Sequence, residues 1–321
     1  MTSLADLNKS KRLLLSMGAG ALSAALVTMI LAGNIVGSFL FIILSYFATL
    51  PLFLVGFTFD TKSLGIAAAT STALVLLLTI SGPSTLLVTF TYIFWNILPV
   101  LWICFYTNLN KKHPNLNGEL MYQLALYAVG LLIIIKYLPG FGGDNIIDMN
   151  AMNKAMETSK ASKADVQQVL NTIKLIIPYL SGFMISSWLL MITFNWFLAN
   201  KILPRIIPNL PAIKRDFTLP KIYIAGLACL GTIGSIFSGQ NFGLLAINIS
   251  VILLIPCFLS GISIVNLIAK NKGINKLMLG VFYVFMLFFP ILIIFVLLLG
   301  IFEPWLHLRN KFVKVKIDLE N

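Results

Sequence analysis

The residues in this chain with chemistry to offer are few, and most carry no charge. Asn96, Asn195 and Asn248 each interrupt a long apolar run, with Trp95 beside the first of them and Tyr46 in a further run. A carboxamide brings two donors and two acceptor lone pairs, and left unpaired in hydrocarbon it is costly. Each asparagine must therefore face an interior partner or a bound molecule. Pro99, shortly after Asn96, cannot donate to the carbonyl of Trp95, so that acceptor is freed beside the amide. Trp95, Asn96 and Pro99 thus form a kinked, polar, aromatic point. It suits a solute pocket and a helix–helix hydrogen bond equally well. Tyr46, Trp95, Asn96, Asn195 and Asn248 are the candidate substrate-binding residues.

Catalysis asks for more than this. It needs acids, histidines or cysteines gathered at one surface, and Asp60, His113 and Glu119 are a thin set for a lipid-directed reaction. No enzyme activity is expected. Cys104, Cys229 and Cys257 lie singly in apolar runs without CxxC spacing, which reads as small core residues. His113 and His307 are far apart in sequence, so no metal site is legible and no cofactor is expected. The chain also lacks a P-loop. A transporting role would have to draw its energy from a partner.

The elements that position these residues are apolar runs. Of 321 residues, 59% are hydrophobic and 11% charged, against about 25% charged in soluble domains. Roughly twenty apolar residues cross a ~30 Å hydrocarbon core. Runs of that order fall at 13–32, 35–57, 64–80, 86–106, 121–138, 169–199, 221–237, 242–269 and 277–299. Pro51, Pro178, Pro256 and Pro290 each remove a backbone donor within one of them. The expected fold is all-α: a polytopic transmembrane helix bundle of about eight to nine spans. A connection at 201–220, rich in proline and basic residues, divides it. Before it lies a six-span N-terminal bundle (1–200), and after it a three-span part with a basic tail (221–321).

The net charge of +12 is a topology signal rather than a nucleic-acid one. The basic residues flank apolar runs, the positive-inside pattern, so the expected partner is the lipid bilayer and no nucleic acid. Lys9, Lys11 and Arg12 precede the first run without a cleavage site after it, which suggests a retained signal anchor and a cytoplasmic N-terminus. Nine spans would place Arg309, Lys311, Lys314 and Lys316 outside, against the rule, so eight and nine both stay open. The polar loop 140–165 carries Met149, Met152 and Met156 at helical spacing, either an interfacial helix or a lid. On the first span, Ser16, Gly20 and Ala24 form one ridge of small residues, and Ala21 and Ala25 a second. Such ridges let backbones approach closely in lipid. They serve either an internal contact or the docking of a partner subunit.

The order of several motifs carries a resemblance. The stretch from Ser45 to Gly56 with Pro99, then Pro178, Trp188, Asn195 and Ala199, then Pro256 with Gly261, resembles the YybS-like family of bacterial membrane proteins. The ending with Gly300, Glu303, Trp305 and Arg309 resembles that family's closing signature. The resemblance implies a multi-pass protein of the bacterial cytoplasmic (inner) membrane. The first six spans are in turn similar to the substrate-capture subunits of energy-coupling-factor transporters. That similarity implies a small-molecule ligand and a transmembrane coupling subunit docked on Ala21 and Ala25. The leading expectation is a subunit that binds and transports a small solute with partner membrane proteins. From a different class stands a non-transporting interaction or scaffold protein of the cell envelope.

Overall fold

The computed structural model describes residues 9–32, 41–80, 85–110, 116–137, 163–206, 217–309 and 311. The expected amphipathic stretch around Met149, Met152 and Met156, together with His113 and the tail beyond 311, lies outside them. All regular structure among the described residues is helical. The helices are α1 (Lys9–Ala32), α2 (Leu50–Thr58), α3 (Thr61–Thr79), α4 (Thr85–Tyr92), α5 (Leu98–Leu109) and α6 (Leu116–Tyr137). They continue as α7 (Lys163–Ile206), α8 (Lys221–Ile236), α9 (Asn241–Asn271), α10 (Lys276–Phe288) and α11 (Pro290–Leu306). Helices are the form that lets an isolated apolar segment satisfy its own backbone in lipid.

Seven described segments are long and apolar enough to cross a membrane, or eight if the bent pair α10 and α11 counts as one. Two of the expected spans differ in form. The run at 221–237 becomes α8, whose 16 residues reach about 24 Å at 1.5 Å per residue, short of a full crossing. The run at 277–299 is not one helix: α10 and α11 meet at 111°. Pro290 causes the break by holding Phe289 in an extended conformation, φ −117° and ψ 92°.

The described helices form two compact units that interleave along the chain, and each is described by itself. The first comprises α1 to α5 and the part of α7 from Leu190 onward. Here α1 packs on α2 and α3. Ser16, Gly20, Ser23 and Ala24 are buried in that contact, and a Cβ on Gly20 would fall on the carbonyl of Ala67. The hydroxyls of Ser23 and Tyr92 share a hydrogen bond of 2.7 Å. Asp60 caps α3 by accepting the Ser63 N–H at 2.8 Å. Hydrogen bonds from Ser63, with the Arg12 charge adding, hold the Asp60 carboxyl below its ordinary 3.8.

The second unit comprises α6, α7 up to Leu189, and α8 to α11. Its closest crossing joins α9 and α11. A Cβ on Gly261 would strike the carbonyl of Val296, and one on Gly300 the carbonyl of Cys257. Each glycine therefore receives the backbone of the opposite helix, four residues from the point where its own helix presses back. In lipid such close packing substitutes for the hydrophobic drive.

Two predictions follow from these contacts. Gly300→Leu forces α9 and α11 apart, at a cost of about 1–3 kcal/mol or more for overpacking. Gly280→Leu is its control, since a Cβ there meets nothing within 4 Å. Thermal unfolding in detergent should fall for the first and hold for the second. Asp60→Ala should cost about 1 kcal/mol at neutral pH through loss of the cap. Because the folded carboxyl ionises more readily than the unfolded one, that contribution is complete above pH 3.8 and disappears as pH falls through the lowered value. Unfolding curves of wild type and variant should converge in acid.

Candidate functional site

The site is built on a gap in the second span. The helical stretch described from Phe41 loosens into turns over 46–49 before α2 begins at Leu50. Pro51 stands in the first turn of α2 and has no N–H to give to Phe47 four residues back. The Phe47 carbonyl takes the Leu50 N–H instead, at 3.0 Å. In a regular helix that N–H would have gone to Tyr46. The Tyr46 carbonyl is thereby released, and Asn195 of α7 fills it.

Asn195 is fully buried. Its Nδ2 donates to the carbonyls of Tyr46 and, at 3.0 Å, Met191. Phe47 and Phe194 meet edge to face beside it, 6.1 Å between ring centres. The other half of the amide is unsatisfied: among the described residues Asn195 Oδ1 has no hydrogen-bond partner, and neither has the buried Thr49 hydroxyl of the turns at 46–49. Trp196 Nε1, next along α7, is likewise buried and unpartnered. Buried polar atoms are nearly always paired. An acceptor, a hydroxyl and an N–H are thus left unpartnered on these two segments.

Tyr46 and Asn195 thus come together, but through the Tyr46 main chain; its ring is 47% exposed. Trp95 and Asn96 occupy the five-residue π-helical turn Ile93–Ile97, closed by the Leu98 N–H on the Ile93 carbonyl. Pro99 follows directly and explains the wide turn, since it cannot serve the Trp95 carbonyl. Asn96 is half-buried there and forms no hydrogen bond with a described residue. Neither residue is hydrogen-bonded to Tyr46 or Asn195.

Asn248 lies in the second unit and has a different part. Its Oδ1 accepts the Gly182 N–H and its Nδ2 donates to the Pro178 carbonyl, both at 2.8 Å. Those two groups stand one turn apart on α7, which runs unbroken from Lys163 to Ile206. A second Nδ2 proton goes to the Leu244 carbonyl at 2.8 Å. The amide therefore splints α7 just past Pro178 and ties it to α9. Gly182 makes this possible, because a Cβ there would fall on Asn248 Oδ1.

The first-span ridges separate in the same way. Ser16, Gly20 and Ala24 are occupied by packing inside the unit, so the docking role expected of them is closed by α2 and α3. Ala21 and Ala25 remain half-exposed. Sequence reasoning passed over Thr49 and Gly182. The spacing of Pro178 to Gly182, one helical turn, was a usable signal for the second; nothing local singled out the first.

The ending of α11 forms a further polar cluster. His307 takes a left-handed conformation, φ 46°, and turns the chain back on Glu303. The Glu303 carboxylate accepts the N–H groups of Leu308 and Arg309 at 3.1 and 3.3 Å and lies 3.5 Å from Arg309 Nε. Arg309 Nη2 donates to the Phe217 carbonyl at 2.8 Å and to Ser260 Oγ at 3.1 Å. This buried pair latches α11 to α9 and to the segment leading into α8. It gives the glutamate and arginine of the closing motif a place in the packing of the unit.

Long apolar helices, with polar side chains turned onto the backbones of other helices, define an integral membrane helix bundle. Residues 21–303 match the family described as a predicted membrane protein (DUF2232). The chain belongs to that family. No curated protein and no solved structure matches it. For Asn248→Leu, loss of three hydrogen bonds should destabilise the fold by about 1–2 kcal/mol, the range for interhelical bonds in membranes. Unfolding of the full chain in detergent checks this, with Thr232→Val, whose exposed hydroxyl bonds within its own helix to Ala228, as the mild comparison.

Proposed function

We propose that the protein is a solute-binding membrane subunit that takes up a small, uncharged, partly apolar molecule and passes it on with partner membrane proteins. One observation carries the reading: the unpartnered, buried Asn195 Oδ1 and Thr49 hydroxyl at the gap in the second span. Broken helices at membrane depth, with freed backbone groups, are a recurrent way to build transporter sites. The Oδ1 asks for an N–H or O–H on the ligand, while the surrounding phenylalanines suit an apolar body. No Lys, Arg, Asp or Glu lies in 41–58 or in 190–200, which favours a neutral ligand.

The order of proline, asparagine and closing motifs supports placing the chain with the YybS-like proteins. It also supports a kinship of the first six spans with energy-coupling-factor capture subunits. In that reading the protein sits in the bacterial cytoplasmic membrane with its N-terminus inside. The half-exposed Ala21 and Ala25 would meet a coupling subunit, and the protein itself would perform no catalysis. The scaffold alternative draws support from Asn248 and from the Ser16, Gly20 and Ala24 ridge, whose capacity is spent inside the fold.

Native mass spectrometry of the full chain, extracted gently from its own membrane, separates the two. A co-purifying neutral molecule should be present in wild type and fall at least tenfold in Thr49→Val, which removes only the hydroxyl. A wild-type chain that carries no small molecule but brings down envelope proteins overturns the transport reading.

A further inference from the structure

The second unit contains its own measure of depth. Helices α8 and α9 form an antiparallel hairpin: Gly234 lies against Ile247, and the Tyr223 hydroxyl donates to the Leu253 carbonyl at 2.6 Å. One end of the hairpin is the turn 237–240, which carries no charge. The other end holds Lys221 at the start of α8 and Lys270 and Lys272 at the end of α9, all exposed. The 31 residues of α9 reach about 46 Å, more than a ~30 Å hydrocarbon core. Its two ends therefore stand on opposite faces of the membrane.

Against this scale α11 falls short. It runs from the lysine end antiparallel to α9, with Val296 meeting Gly261 and Gly300 meeting Cys257. At one residue for one it would come level with Asn241 only about sixteen residues past Gly300. It ends at Leu306, about 15 Å before that point. There His307 takes the left-handed conformation, φ 46°, and the chain comes back on itself. The Leu308 and Arg309 N–H groups bond the Glu303 carboxylate. Arg309 Nη2 reaches the Ser260 hydroxyl, beside Gly261, and the Phe217 carbonyl, just before α8. A straight continuation would instead carry residue 309 about 20 Å beyond Val296, out of reach of either. A reversal at membrane depth must have its backbone groups satisfied. The buried Glu303 carboxylate does this, and the buried Arg309 guanidinium balances its charge.

We infer that α11 is a re-entrant helix. It enters the membrane from the face that carries Lys221, Lys270 and Lys272, turns at His307 and returns to the same face, so that α9 is the last full crossing. The charge pattern supports this path independently. With α11 re-entrant, Arg309, Lys311, Lys314 and Lys316 join Lys214, Arg215, Lys221, Lys270, Lys272 and Lys276 on one face, which the positive-inside rule makes the cytoplasmic one. A crossing α11 would strand the first four on the opposite face. The Glu303–Arg309 pair gains a task from this: it closes the reversal. The path of α11 and the proposed solute site succeed or fail separately.

The test labels the full-length protein in sealed membrane vesicles with a membrane-impermeant maleimide. The background is Cys229→Ser, since Cys104 and Cys257 are buried. Single cysteines are placed by Ser238→Cys, Lys272→Cys and Lys311→Cys, all at exposed positions. Ser238→Cys and Lys272→Cys should label from opposite faces, one of them only after permeabilisation, and Lys311→Cys should follow Lys272→Cys. Labelling of Lys311→Cys from the Ser238→Cys face overturns the inference, as does labelling of Ser238→Cys and Lys272→Cys from one face. The turn itself is read by thermal unfolding in detergent, at a side chain that is exposed and so replaceable. His307→Gly should unfold no earlier than wild type and His307→Val several degrees earlier, because left-handed backbone suits glycine and crowds a β-branched residue. In a helix that continued across the membrane the order would be the reverse, glycine being the poorer helix former. That reversed order would also overturn the inference.

Discussion

A polar group inside a bilayer has no water to fall back on, and the architecture of this protein follows from that. Every interruption of a helix frees a carbonyl or an amide that the rest of the chain must answer. Pro51 shifts the Leu50 N–H onto Phe47, and the exposed Tyr46 carbonyl is answered by Asn195. On the unbroken α7, Asn248 reaches in from another helix and bonds both the Pro178 carbonyl and the Gly182 N–H. Polar side chains here are therefore the fasteners between helices, and at Pro51 a proline decides where one is needed.

The same constraint explains the closing motif. Glu303 and Arg309 are both buried, at 4% and 9% exposure, and isolated burial of either charge would be severely unfavourable. The left-handed turn at His307 brings the arginine back to the carboxylate, and the backbone N–H groups of that turn bond the same carboxylate. What the pair contributes is position: it holds the end of α11 against Ser260 and Phe217. Between these polar fasteners the helices approach through glycine. Gly20 sets the distance of α1 from α3, and Gly261 with Gly300 that of α9 from α11. Dispersion contacts of this kind are what remains to drive helix association when the solvent is itself apolar.

Some buried polar atoms stay outside this internal accounting. Asn195 Oδ1 and the Thr49 hydroxyl are buried without a partner at a place where the backbone has already been opened. Other buried polar atoms share that state, the Ser186 and Thr218 hydroxyls among them, and what sets Asn195 Oδ1 and Thr49 apart is their place beside an opened backbone.

Composition and run length by themselves determined that this is an all-α multi-pass membrane protein, because crossing hydrocarbon imposes a length and an apolarity that local sequence states outright. They also marked Asn195 and Asn248 as residues that must find partners. Who the partners are was beyond them: Tyr46 is 149 positions from Asn195, and Pro178 is 70 from Asn248. Nor does a proline announce its consequence. Pro256 lies within an unbroken α9, whereas Pro290 separates α10 from α11 by 111°. The residue type is the same and the local rule is the same. The outcome differs because a helix is kept straight or allowed to break by what packs on it, and packing brings together segments that sequence holds far apart.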